Sequence, residues 1–89
     1  MKNITPNLRQ GDTYAVQTGE YVGELLIYIK TNYLDLCFLS VPKNINRDIP
    51  IDSFNLAKDN NIIEYVELLP VDVIDISIKQ YEKNKISNI

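Results

Sequence analysis

Residues 21–41, YVGELLIYIKTNYLDLCFLSV, decide the fold of this chain. Apolar, aromatic and β-branched side chains alternate along two runs within this stretch, residues 21–30 and residues 34–41, and such alternation is typical of β-strands. Thr31-Asn32-Tyr33 forms a short turn between the runs, so the two strands are predicted to pair antiparallel. The centre of the first run is apolar on both faces, which predicts a central strand of a sheet or a bent strand of a barrel.

A further strand precedes this hairpin. Residues 12–18 alternate between apolar and polar side chains, and the turn that follows contains Gly19, which adopts positive φ without steric cost. The three strands therefore form an antiparallel meander. Residues 1–10 are polar and contain a proline, so we predict a flexible N-terminal arm there and a single α+β domain over residues 11–89.

The segment after the meander is predicted to be irregular. Pro42 cannot donate a hydrogen bond to a neighbouring strand and so ends the third strand. Residues 42–53, PKNINRDIPIDS, form the longest stretch without a periodic pattern, with room for a short edge strand at residues 49–51. A short helical turn follows, capped by Asp52 or Ser53.

The C-terminal part contains the clearest helix. Residues 62–69 fit both the apolar spacing of a helix and the β-branched composition of a strand, and the sequence leaves that choice open. Pro70 suits the first turn of a helix that is predicted to run to about Asn84. Aspartates near the start of this helix and lysines near its end match the helix macrodipole. One apolar stripe is predicted to face the core: Val73, Ile74, Ile78 and Tyr81.

Together these elements predict an α+β fold, either a small antiparallel meander or a partly open SH3-like barrel with a C-terminal helix. Residues 11–29, GDTYAVQTGEYVGELLIYI, resemble the opening hairpin of small bacterial immunity proteins and other SH3-like modules, in which Gly-Asp starts the first strand. The resemblance implies a fold and assigns no functional residues to this chain.

Charge and composition narrow the classes of function. The 89 residues carry a net charge of −3. Binding to nucleic acid usually requires a basic face, because counterion release supplies much of the affinity, so nucleic acid is not the predicted partner. The single cysteine suits a reducing compartment, and the sequence shows no signal-peptide-like stretch and no apolar run of about 20 residues. We therefore expect a cytoplasmic protein without a membrane partner.

No catalytic constellation is visible in the sequence. Histidine, the commonest general base and zinc ligand, is absent, and the three glycines do not form a phosphate-binding loop. Two acidic pairs fit solvent-exposed faces, Glu64 with Glu67 and Asp72 with Asp75. Cys37 lies in a strand among apolar residues, where burial is the usual state of a free cysteine. The sequence therefore predicts no enzyme, no catalytic residue, no cofactor and no metal site.

Two features favour binding. The turn around Lys43 and Arg47 places two cations beside amide side chains, and long connections in small domains often carry function. Tyrosine is enriched at recognition surfaces, and two or three of the six tyrosines are expected to be exposed. The predicted binding residues are Lys43, Asn44, Asn46, Arg47 and Tyr33.

The predicted function is that of a small non-enzymatic interaction protein that binds another protein through its sheet edge, the 42–53 segment or its acidic helix face. The small size, the acidity and the lack of catalytic groups resemble those of phage accessory proteins. The alternative is a nucleic-acid or small-ligand binding module that uses the Lys43–Arg47 loop and exposed tyrosines. The oligomeric state is left open.

Overall fold

The computed structural model describes residues 5–87 of the chain. Its elements, in chain order, are β1 Asp12–Val16, β2 Leu25–Asn32, β3 Asp35–Val41, β4 Ile45–Pro50, α1 Ile51–Asp59, β5 Ile63–Leu68 and α2 Val71–Ser87. The strands form one antiparallel sheet with the order β4-β3-β2-β1-β5, so β4 and β5 are its two edges and the sheet is open. The predicted α+β class, an open antiparallel meander with a C-terminal helix, is confirmed.

The sheet is buried on both faces, because the central strands β2 and β3 carry apolar side chains in both directions. Helix α1 covers one face with Ile51 and Phe54, and Phe54 stacks on Phe38 with ring centroids 5.6 Å apart. Helix α2 crosses the opposite face. The core under α2 consists of Ile27, Ile29, Cys37, Leu39 and Tyr81. Cys37 is 2% exposed, which confirms that its thiol is packed in the core.

The prediction of an irregular segment at residues 42–53 is wrong. Asn44 adopts φ 58°, a left-handed conformation that asparagine tolerates, and the chain reverses there. β4 then pairs antiparallel with β3 along its whole length. Its polar sequence gave no strand pattern because an edge strand needs little apolar surface, and Pro50 is accepted as the last residue of such a strand.

The boundaries of both helices also differ from prediction. The N-cap of α1 is Pro50 rather than Asp52 or Ser53, and α1 follows β4 without a connecting loop. α2 extends to Ser87, beyond the predicted end near Asn84. The core-facing stripe predicted for α2 is therefore part of a longer helix.

β5 settles the choice that the sequence left open at residues 62–69. Ile63–Leu68 is a strand that pairs antiparallel with β1. Tyr65 lies opposite Tyr14 and Glu67 opposite Thr13, so one extra residue in β5 forms a bulge between them. β5 thus pairs with β1, the first strand in the chain, which is distant from it in sequence.

β2 begins later in the chain than predicted, because turns precede it. The strand predicted from residue 21 begins at Leu25, because Gly19 and Gly23 both have positive φ and fold the preceding residues into turns. Of the predicted arm, residues 1–4 lie outside the described residues. Leu8 packs against the α1 side of the core, while the flexibility of the arm stays a prediction.

Candidate binding surface

An apolar groove of about 570 Å³ lies between α2 and the sheet. Its walls come from four strands and α2, and Ser77 and Gln80 supply polar groups at its floor and rim. The apolar side chains that line it include Leu25, Val41, Val66, Leu69, Val73 and Ile76. A groove of this kind accepts apolar side chains of a partner or a small apolar molecule.

The groove exists because hydrogen bonds hold the C-terminal half of α2 over the β3–β4 hairpin. Tyr81 Oη donates to Asp48 Oδ1 at 3.1 Å, and Asn46 Nδ2 donates to the carbonyl oxygen of Tyr81 at 3.0 Å. Asn84 Nδ2 donates to the carbonyl oxygen of Asn44 at 2.8 Å. Since the helix is fixed over β3 and β4, part of the face that β1 and β5 form stays uncovered.

A glycine fixes the other end of α2. A Cβ atom on Gly11 would lie 2.5 Å from Cδ1 of Ile74, closer than side-chain carbons approach, and Gly11 has φ +95°. Both the close approach and the backbone conformation require glycine at this position. Ile74 can therefore pack directly on the residue that precedes β1.

The rim of the groove exposes apolar side chains to solvent. Ile76 is 65% exposed and Val66 is 50% exposed, and they face the groove from α2 and from β5. Leu68, the last residue of β5, and Val71, the first residue of α2, are also exposed. Contiguous exposed apolar patches often mark binding surfaces.

The cations of the predicted binding loop contact a buried carboxylate. Glu24 is 3% exposed, and Arg47 donates two hydrogen bonds to it, from Nε to Oε1 at 3.0 Å and from Nη2 to Oε2 at 2.9 Å. Ser40 Oγ donates to the same carboxylate, and Lys43 Nζ lies 3.3 Å from Oε2. The Arg47 guanidinium also lies 3.7 Å from the centre of the Tyr21 ring.

These contacts give Arg47 a structural role. The hydrogen bonds from Arg47 outweigh the opposing effect of burial and lower the pKa of Glu24 to about 2, with smaller contributions from Ser40 and Lys43. The same pair raises the pKa of Arg47. The ionised pair joins the middle of β4 to the residue before β2, so it holds the β1–β2 turn against the sheet.

The remaining predicted binding residues lie in two places. The side chain of Asn46 and the backbone of Asn44 bind α2, as described above, so they help to position the groove. Tyr33 is 95% exposed in the β2–β3 turn, at the opposite end of β3 from the loop. The structure thus brings Lys43, Asn44, Asn46 and Arg47 together and leaves Tyr33 apart. Three tyrosines are exposed, as expected: Tyr21, Tyr33 and Tyr65.

Sequence reasoning missed Glu24 and the groove. Glu24 had one usable signal, since a charged residue within an apolar strand pattern requires a partner of opposite charge. The groove has no local signal, because five separate elements form its walls.

Other reactive groups give no further site. Burial raises the pKa of the Cys37 thiol, which opposes formation of the nucleophilic thiolate. Within residues 5–87, no three cysteine, aspartate or glutamate side chains gather as metal ligands. No helix in the same part of the chain is long and apolar enough to cross a membrane.

Comparisons with protein-family models, curated proteins and solved structures found no match to this chain. Proposals about its function therefore rest on its own geometry and charge.

Proposed function

We propose that this chain is a non-enzymatic interaction protein that binds another protein through the groove between α2 and the sheet. One observation supports the proposal above others, namely the exposure of apolar side chains on both walls of the groove. Ile76 on α2 and Val66 on β5 both line the groove, and both side chains are at least half exposed. Covering them would remove apolar surface from water, which is the main driving force of protein association.

The charges near the predicted loop support a protein partner over nucleic acid. Lys43 and Arg47, the two cations proposed to contact phosphate, are both directed at Glu24. A guanidinium that already donates two hydrogen bonds to a carboxylate has lost much of its capacity to bind a phosphate. We propose that the interaction takes place in the cytoplasm, and the single free cysteine supports this location.

A small apolar ligand is the second candidate. The volume of the groove, about 570 Å³, lies within the range of roughly 300–1,000 Å³ that small-molecule sites occupy. Such a ligand would contact the same side chains and leave the outer half of Ile76 in solvent.

Ile76→Lys tests the proposal with Leu56→Lys as its matched control. Leu56 is 62% exposed, nearly the same as Ile76, but lies on α1 at the opposite face of the sheet. Both substitutions place a charge on an exposed helical position and should change the melting temperature little. Partners are captured from host-cell extract by chemical cross-linking and quantified by mass spectrometry.

We expect Ile76→Lys to remove a partner that wild type and Leu56→Lys both retain. Loss of the same partner in both variants, or in neither, would contradict the proposal. Release of an apolar small molecule from denatured wild type, but not from Ile76→Lys, would instead support the second candidate.

A further inference from the structure

The two edges of the sheet differ in how they are protected. β4 ends in Pro50, carries Arg47 and Asp48, and is bound to α2 through Asn46. Proline, charge and a covering element are the usual means by which proteins block an edge strand. β5 carries two glutamates and a bulge, but within the described residues it has neither a proline nor a covering element, and residues 64–68 are all exposed.

Backbone groups point outward from the regular half of β5. The backbone amide of Gln17 donates to the carbonyl oxygen of Ile62 at 2.7 Å, so the backbone carbonyl group of Ile62 points toward the β1 side. In an antiparallel pair the direction alternates, and Ile63 and Tyr65 therefore direct their N–H and C=O groups away from β1. Within the described part of the chain, β5 has a neighbouring strand on one side only. This edge can hydrogen-bond an added strand.

The chain segment that contains β5 carries charge of one sign. Residues 59–78, which include β5 and the first two turns of α2, contain five acidic residues and no lysine or arginine. Pairing β5 with β5 of a second copy would bring two such segments together and is disfavoured by repulsion between like charges. A basic strand is the complementary partner.

From these observations we infer that a basic, extended segment of another protein adds to β5 as a sixth strand of the sheet. The inference rests on the proposed function, since the groove borders β5. Alternate side chains of the added strand face the α2 side, next to Val66 and Ile76, where apolar ones enter the groove. Backbone hydrogen bonds to Ile63 and Tyr65 hold the strand. At other positions on the same α2 face, lysine or arginine side chains of the added strand lie near Glu64 and Glu67.

The test is an NMR titration of the ¹⁵N-labelled full chain with a synthetic peptide of roughly eight residues. Lysine and valine occupy every second position of this peptide by turns, with threonine between them, so that lysine and valine share one face. We expect the amide signals of Ile63 and Tyr65 to move most, with a Kd of about 1 mM or tighter. The same peptide N-methylated at every second residue, which cannot complete the backbone pairing, should bind at least tenfold more weakly. The same peptide with glutamate in place of lysine should not bind.

Two pairs of variants separate backbone pairing from charge. Tyr65→Pro removes the outward N–H of Tyr65, whereas Tyr65→Ala removes only the ring, so Tyr65→Pro should bind about tenfold more weakly than Tyr65→Ala. Glu67→Lys should weaken binding about threefold at low salt. Glu82→Lys carries the same change of charge on the flank of α2 beside Lys30 and should leave affinity unchanged.

Three outcomes would overturn the inference: no shift of β5 amides, equal binding of the N-methylated peptide, or β5 shifts that follow protein concentration without peptide. The last would identify a second copy as the occupant. If the peptide fails while Ile76→Lys still loses its partner, strand addition is wrong and the proposed function stands. If the peptide binds β5 while Ile76→Lys retains every partner, the groove proposal is wrong instead.

Discussion

Replacing Glu24 by glutamine removes one buried charge with almost no change of shape. The amide can still accept the hydrogen bond from Ser40, but it cannot form the charged pair with Arg47, whose nitrogen atoms lie 2.9 and 3.0 Å from the carboxylate. Breaking a fully buried pair typically costs about 3–5 kcal/mol. The side chain of Arg47 is 19% exposed and can be partly rehydrated. We therefore expect Glu24→Gln to lower the free energy of unfolding by about 2–3 kcal/mol at neutral pH.

The pH dependence gives a second measure of the same pair. The pKa of Glu24 is about 2 in the folded protein, below its ordinary value of 4.5. A carboxyl group whose pKa is lowered by folding stabilises the folded state when it is ionised. Its contribution is fully present above the unfolded pKa and is lost as pH falls from about 4.5 to 2. At about 1.4 kcal/mol for each pKa unit, the loss is on the order of 3 kcal/mol.

Urea denaturation followed by circular dichroism, from about pH 6 down to pH 2, measures both effects. The wild type and the control Glu82→Gln, whose carboxylate is half exposed, should lose about 3 kcal/mol more than Glu24→Gln over this range. The wild type and Glu24→Gln have every other carboxyl group in common, so the difference between them reports on Glu24. A Glu24→Gln curve parallel to that of the wild type would refute the assignment of Glu24 as an ionised, Arg47-bound group.

Three further predictions concern the core and α2. Cys37→Ser should lower the free energy of unfolding by about 1–3 kcal/mol, because it buries a hydroxyl group in an apolar site, and the wild-type thiol should react with a disulfide reagent far more slowly than free cysteine. Gly11→Ala should destabilise by about 1–3 kcal/mol more than Gly19→Ala. Both glycines have positive φ, but only the new methyl group at Gly11 meets Ile74. Equal effects of the two substitutions would show that this contact is unimportant. Truncation after Pro70 should abolish cooperative thermal unfolding, since it exposes the core face under α2, and a sharp transition in the truncated chain would contradict this.

Those parts of the fold that depend on local pattern could be predicted from the sequence. The alternation in residues 21–41 predicts β2 and β3, and Pro70 with the following apolar stripe predicts α2. β4 escaped prediction because INRDIP is polar and carries a proline, both of which suit an edge strand and hide it from an apolar pattern. β5 stayed ambiguous because its identity as a strand is decided by pairing with β1, a long-range contact that propensity does not encode.

The binding surface was less predictable than the fold. The exposed cations of the Lys43–Arg47 loop looked available for a ligand, but the sequence does not show that Glu24 lies beside them. Ile76 and Val66 have the sequence pattern of ordinary apolar positions in a helix and a strand, and nothing local indicates that α2 and β5 leave a groove between them. Surfaces built from several elements become visible only when the tertiary arrangement is known.

The net charge of −3 conceals a separation of charge that matters for binding. Residues 59–78 carry five acidic groups without a cation, whereas the rest of the chain carries nine cations and seven anions. The acidic field is therefore concentrated at β5 and the start of α2, beside the groove. Charge at a rim mainly sets the association rate, while apolar contacts in a groove mainly set the dissociation rate. Glu67→Lys should accordingly slow association with a basic partner, more so at low salt, and Ile76→Lys should speed dissociation at any salt concentration.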